Sequence, residues 1–157
     1  MICNLCPRSC GALRTESAGE GYCRMPDVPV LARAALHQWE EPPISGTRGS
    51  GTVFFSGCTL GCVFCQNHSI AKADIGRKVS VARLSEIFLE LQAKGAANIN
   101  LVTPTHYVPS IAEALKTAKT DGLTIPIVYN TGGYESVETL RLLDGLVDIY
   151  LPDFKYM

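Results

Sequence analysis

Cys58, Cys62 and Cys65 stand in the run CTLGCVFCQN, directly behind the apolar stretch Thr52-Val53-Phe54-Phe55. Three thiolates are one short of the four that saturate a cubane iron-sulfur cluster, so a cluster held here keeps one iron open to an outside ligand. An open iron is a place for chemistry. The competing readings are a zinc knuckle, which takes four tetrahedral ligands, and three structural cysteines that bind nothing.

Three sulfurs converge on one inorganic core only if the backbone wraps it as a loop, and Gly57 and Gly61 supply the permissive torsions. The run resembles the signature of the radical S-adenosylmethionine (SAM) superfamily: CxxxC, any residue, an aromatic and a third Cys, with Phe64 in the aromatic slot. The resemblance implies a [4Fe-4S] cluster on Cys58, Cys62 and Cys65, with the amino and carboxylate groups of SAM on the open iron. It places Phe64 near the adenine. It further implies one-electron cleavage of the sulfonium to methionine and a 5'-deoxyadenosyl radical. The alternative function class is a non-catalytic iron-sulfur or zinc module for binding or electron transfer, or an inactive fragment.

Four further cysteines, Cys3, Cys6, Cys10 and Cys23, lie in CNLCPRSCGALRTESAGEGYC, a stretch too polar and Gly-rich to build its own core. A CxxC start with two more thiolates reads as a four-sulfur site. Zinc closes such a shell tetrahedrally, soft thiolates equally favour an auxiliary iron-sulfur cluster, and four reduced cysteines without metal are the third option. Met1 to Asn4 lack the basic start and apolar core of a signal peptide, and no apolar run reaches the roughly 20 residues that span a bilayer. The expected compartment is the cytoplasm, where seven cysteines are metal ligands or catalytic groups more readily than disulfide partners. A net charge of -1 without a basic stripe gives no argument for a nucleic-acid partner.

With 157 residues, 46% of them hydrophobic and 18% charged, the chain is that of an ordinary globular protein. Residues 1–27 read as a cysteine-rich metal-binding segment and 28–157 as an α/β core. Residues 28–38 are expected to be extended and to lead into a turn at Glu40-Glu41-Pro42-Pro43-Ile44-Ser45-Gly46. The adjacent Glu40 and Glu41 read there as solvated turn residues, with no catalysis assigned. Strands are expected at 51–56, 98–103, 125–130 and 147–151, alternating with helices, which argues for parallel strands joined by crossovers. Val81, Leu84, Ile87, Phe88 and Leu91 recur at helical spacing, between Ser80 as cap and Gly95 as terminator. Residues 109–119 and 136–143 give the next two helices.

The cysteine loop begins at the carboxyl end of the 51–56 strand, where α/β architectures place their chemistry. The other strand ends also carry polar residues. After 98–103 come Thr103-Pro104-Thr105-His106, where the superfamily often has a Gly-Gly-Glu type segment for the SAM amino group. Thr105 is the candidate contact here, and His106 is either a proton donor or a hydrogen-bonded loop histidine. After 125–130, Asn130 and Thr131 are candidates for the SAM ribose or carboxylate, beside Gly132-Gly133. After 147–151, Asp153-Phe154-Lys155 is similar to the Asp-x-Lys of glycyl-radical activating enzymes, which implies Lys155 on the SAM carboxylate with Asp153 beside it. An exposed ion pair is the plainer explanation.

CxLCPRxCG, LHQWEEPPISG, GSGTVFFSGC and LVTPTH give a closer resemblance to proteins described as pyruvate formate-lyase activating enzyme homologues. That resemblance implies a partial (β/α) barrel, about four of six units, with an N-terminal cysteine-rich knuckle. It also implies an electron donor such as flavodoxin or ferredoxin, and a protein substrate on which a glycyl radical is made. Ending just after the fourth strand, the chain is expected to lack two units, leave that strand's edge unpaired, bind a cluster poorly and turn over slowly.

Overall fold

Alternation along four apolar segments sets the sheet. In the computed structural model, which describes residues 2–155, these are β4 (Ser50–Phe55), β6 (Ile99–Val102), β7 (Ile127–Thr131) and β8 (Ile149–Pro152). They follow β1 (Ile2–Cys3), β2 (Ala12–Leu13) and β3 (Val30–His37), with β5 (Arg77–Lys78) between β4 and β6. Val53, Phe55, Ile99, Leu101, Ile127 and Tyr129 are fully buried and share one core cluster. The intervening Phe54, Val102 and Asn130 face a cavity on the other side of the sheet, as the two-residue period of a strand requires.

The helices covering the core face start and stop where their sequence directs. Helix α3 (Val81–Ala93) follows two short turns of helix, α1 (Pro42–Ser45) and α2 (His68–Ala71). Ser80 accepts from the Arg83 amide at 3.1 Å as its cap, and Gly95 leaves with φ +87°. Its Leu84, Phe88 and Leu91 are buried against the sheet. Helix α4 (Val108–Thr120) carries Pro109 in its first turn and buries Ile111, Leu115 and Ala118. The short α5 (Val137–Arg141) is capped by Ser136. Burying a Leu or Phe side chain contributes about 1.5–3 kcal/mol, so this layer is the main stabilising element of the fold.

The main sheet runs β5-β3-β4-β6-β7-β8. β4, β6, β7 and β8 are mutually parallel, joined through α3, α4 and α5, and form the expected run of β/α units. The mixed character of the sheet was not expected: β3 pairs antiparallel with β4 and with β5. The link from β3 to β4 is a reversal built on Pro42 and Pro43, which form the single turn α1 inside the expected loop. Such a reversal suits an antiparallel pair, since a parallel pair needs a longer crossover.

The N-terminal residues form a small antiparallel pair, Ile2 opposite Leu13 and Cys3 opposite Ala12. Their polarity does not keep them apart from the core. Arg14, only 1% exposed, donates to the carbonyls of Met25 (3.0 Å), Pro26 (2.5 Å) and His106 (2.6 Å). Thr139 Oγ1 donates to the Leu5 carbonyl at 2.7 Å. Among the described residues no helix is long and apolar enough to cross a membrane.

Candidate functional site

The carboxyl ends of β4, β6, β7 and β8 border a cavity of about 740 Å3, within the roughly 300–1,000 Å3 usual for ligand and cofactor sites. Cys58, Cys62 and Cys65 all line it, half-buried and unoxidised. The loop that carries them departs from β4 through Gly57 at φ +83° and turns at Gly61 at φ +70°. These are left-handed torsions that favour glycine. Gly57 has no room for more, since a Cβ there would lie 2.3 Å from Met25 Cγ. Within the loop the Leu60 amide donates to Cys58 Sγ at 3.4 Å, the kind of amide contact that stabilises a ligating sulfur.

The N-terminal segment clamps the outside of this loop. Arg8 Nε donates to the Thr59 carbonyl at 2.5 Å and its Nη2 to the Leu60 carbonyl at 3.1 Å. Tyr22 Oη donates to the same Leu60 carbonyl at 3.2 Å, and the Arg8 guanidinium stacks 3.5 Å from the Tyr22 ring centroid. None of this was visible in the spacing of the cysteines.

The candidate contacts divide. Phe64, Asn130, Asp153 and Lys155 reach the cavity with the three cysteines. Lys155 Nζ lies 2.6 Å from Asp153 Oδ2. Its proton affinity is raised, first by that hydrogen bond and further by the charges of Asp153, Cys62 and Cys65, so a cation sits within electrostatic reach of two thiols. Thr105 does not line the cavity. It lies in a 3-10 turn, Thr105–Tyr107, and its hydroxyl donates to Glu135 Oε1 at 2.7 Å. Thr131 Oγ1 donates to the same oxygen, and Thr131 does line the cavity, so Thr105 meets the site at one remove. Thr103, at φ +56°, occupies the rim instead.

His106 is also off the cavity wall. It is 2% exposed, with Nε2 2.8 Å from the Ser56 carbonyl, and a carbonyl can only accept, so Nε2 carries the proton. Burial, with Arg14 adding to it, pushes its pKa down to about 4 despite the Ser56 contact. It is a neutral anchor beneath the loop.

Glu40 and Glu41, read from sequence as solvated turn residues, line the cavity together with His37 and Trp39. Burial raises the proton affinity of Glu40 most; Glu41 and Asp153 add to it, while His37 and the Asn100 amide oppose it. The available signal was the Pro42-Pro43 pair, whose fixed backbone starts α1 and folds the preceding acids over the sheet.

Among the described residues no three His, Cys, Asp or Glu side chains are gathered for a single metal ion. A cubane asks for something different, because it takes each thiolate on a separate iron and spreads the sulfurs apart, and three thiols lining one cavity are compatible with that. The N-terminal thiols are neighbours in turn. Burial raises the proton affinity of both Cys6 and Cys23, and the charges of Cys3 and Cys10 act on each in the same direction.

The comparisons with known proteins agree with this geometry. Along 98% of its length the chain is 32% identical to an uncharacterized protein of Methanocaldococcus jannaschii, and it spans 45% of that protein. No solved structure matches the chain. Residues 52–155, from β4 through the cysteine loop to Lys155, match the radical SAM superfamily, and the chain belongs to that family.

Proposed function

We propose that the chain holds a [4Fe-4S] cluster on Cys58, Cys62 and Cys65 and performs radical SAM chemistry of the glycyl-radical activating kind, similar to pyruvate formate-lyase activating enzyme. The observation that carries this reading is the meeting of three half-buried thiols with Asn130, Asp153 and Lys155 in one cavity at the strand ends. When bound, the reduced cluster supplies one electron to SAM, giving methionine and a 5'-deoxyadenosyl radical, while the protein supplies orientation and shelter.

Each side chain has a stated part. Phe64 offers an aromatic surface to the adenine. Asn130 hydrogen-bonds the ribose or carboxylate, and Lys155, steered by Asp153, neutralises the carboxylate. Thr105 works through Glu135 to hold Thr131 in place. Residues 1–27 form a metal-binding segment carrying zinc or a second iron-sulfur cluster, and 28–157 form the radical core. The electron comes from a flavodoxin or ferredoxin, the substrate is a protein, and the reducing cytoplasm keeps the thiols ready for metal.

The test is anaerobic: reconstitute with iron and sulfide, reduce with dithionite, add SAM and assay 5'-deoxyadenosine. Formation of the nucleoside, abolished by Cys62→Ala, supports the proposal. A reconstituted cluster that yields none contradicts it and favours an electron-transfer module.

A further inference from the structure

We infer that Arg8 is a positioning residue that tunes the cysteine loop: by donating to the Thr59 carbonyl it polarises the peptide between Thr59 and Leu60, whose N–H in turn donates to Cys58 Sγ. The relay strengthens the amide contact on one cluster ligand and makes the cluster easier to reduce. Its effect on a cluster rests on the role proposed above for Cys58, Cys62 and Cys65; the relay itself does not.

The relay is continuous. Arg8 Nε donates to the Thr59 carbonyl at 2.5 Å. That carbonyl and the Leu60 N–H are the two ends of one peptide group, which resonance makes a single planar unit. The Leu60 N–H donates to Cys58 Sγ at 3.4 Å. A charged donor on the oxygen draws electron density away from the nitrogen, so the N–H becomes a better donor, and hydrogen bonds in a chain reinforce one another in this way. Reduction adds negative charge to a cluster, and hydrogen bonds to its sulfurs are among the features that set its potential. A stronger N–H on Cys58 Sγ therefore favours the reduced state.

The guanidinium is fixed from three sides. Besides the Thr59 contact, its Nη2 donates to the Leu60 carbonyl at 3.1 Å and its plane lies 3.5 Å from the Tyr22 ring centroid. Tyr22 Oη also donates to the Leu60 carbonyl, at 3.2 Å, but that oxygen belongs to the next peptide, whose N–H is on Gly61 and outside the relay. Arg8 is exposed. Solvent and salt screen a charge acting through space, whereas the contact through the peptide remains. The loop is held against the clamp on both sides: a Cβ on Gly61 would overlap Tyr22 Oη, and one on Gly132 would overlap the Leu60 side chain.

Two measurements on wild type, Arg8→Gln, Arg8→Lys and Tyr22→Phe test the inference. The first reads the Leu60 amide proton by NMR in isotope-labelled, metal-free protein, and so needs no cluster. Arg8→Gln is expected to move that resonance upfield, as a weakened donor contact does. Arg8→Lys, which keeps a cationic donor, moves it less, and Tyr22→Phe, which keeps the ring against the guanidinium, leaves it in place. The second reads the midpoint potential of the reconstituted cluster, by redox titration followed with electron paramagnetic resonance. Arg8→Gln is expected to make reduction roughly tenfold less favourable, about 59 mV lower for a one-electron couple, with Arg8→Lys intermediate and Tyr22→Phe near wild type. A residue that only kept the loop in shape would change the iron bound per chain and not the potential of the clusters that form. A Leu60 resonance that ignores Arg8→Gln overturns the relay. An unchanged potential beside a shifted resonance overturns its effect on the cluster, as does a Tyr22→Phe shift in potential as large as that of Arg8→Gln. A wild-type chain that assembles no cluster contradicts the function proposed above and takes the effect on potential with it, while the first measurement still decides the relay.

Discussion

His106 Nε2 donates to the Ser56 carbonyl at 2.8 Å, and so pins the peptide from which the cysteine loop leaves β4. Because burial holds the ring neutral down to about pH 4 against an ordinary 6.5, the unfolded chain takes up a proton that the folded chain refuses. This group's contribution is complete above the unfolded pKa and is lost as pH falls through the folded one, up to about 3 kcal/mol at ~1.4 kcal/mol per unit. Urea denaturation across that window checks it. Wild type is expected to lose stability more steeply with acid than His106→Gln, whose side chain does not titrate.

Lys155 and Asp153 make an exposed ion pair at 2.6 Å, and such pairs add about 0–1 kcal/mol to stability. Lys155→Ala is therefore expected to leave the thermal midpoint nearly unchanged while raising the KM for SAM by roughly tenfold, the scale of one charge-assisted contact. An unchanged KM would remove Lys155 from the SAM site.

Glu135 accepts from Thr105 and Thr131, both nearly fully buried. Glu135→Ala leaves two buried hydroxyls without their acceptor, at a cost of about 1–3 kcal/mol each before relaxation. The urea midpoint is expected to drop accordingly, with Glu135→Gln recovering part of the loss because its amide oxygen still accepts.

Local patterns were legible in the sequence. Ser80 and Gly95 bracket α3 because caps act within one turn, and Gly57 and Gly61 mark the loop because positive torsions are a single-residue property. What escaped depends on distant contacts. Nothing in the sequence marks Arg14 for burial, because the carbonyls of Met25, Pro26 and His106 that surround it come from distant segments. Thr105 is the candidate contact from sequence, but the 3-10 turn directs it toward Glu135 and leaves Thr103 on the cavity wall. Glu40 and Glu41 line the cavity from the link between β3 and β4, and although Pro42-Pro43 marks that link, the antiparallel pairing it serves is not encoded by alternation within one strand.

Gly57 is the most constrained joint of the site. An alanine there would take an unfavourable left-handed torsion, costing about 1–2 kcal/mol, and would also press a Cβ to 2.3 Å from Met25 Cγ. Gly57→Ala is expected to lower the yield of reconstituted cluster, read as iron bound per chain, more than Ala71→Gly does in the helix α2 behind the loop.

The most direct measurement is low-temperature electron paramagnetic resonance of anaerobically reconstituted, dithionite-reduced protein, recorded without and with SAM. A reduced cubane signal whose g values shift when SAM is added, and which is missing from Cys62→Ala, is the predicted result. No cubane signal, or one that SAM leaves untouched, would contradict an open iron held by Cys58, Cys62 and Cys65.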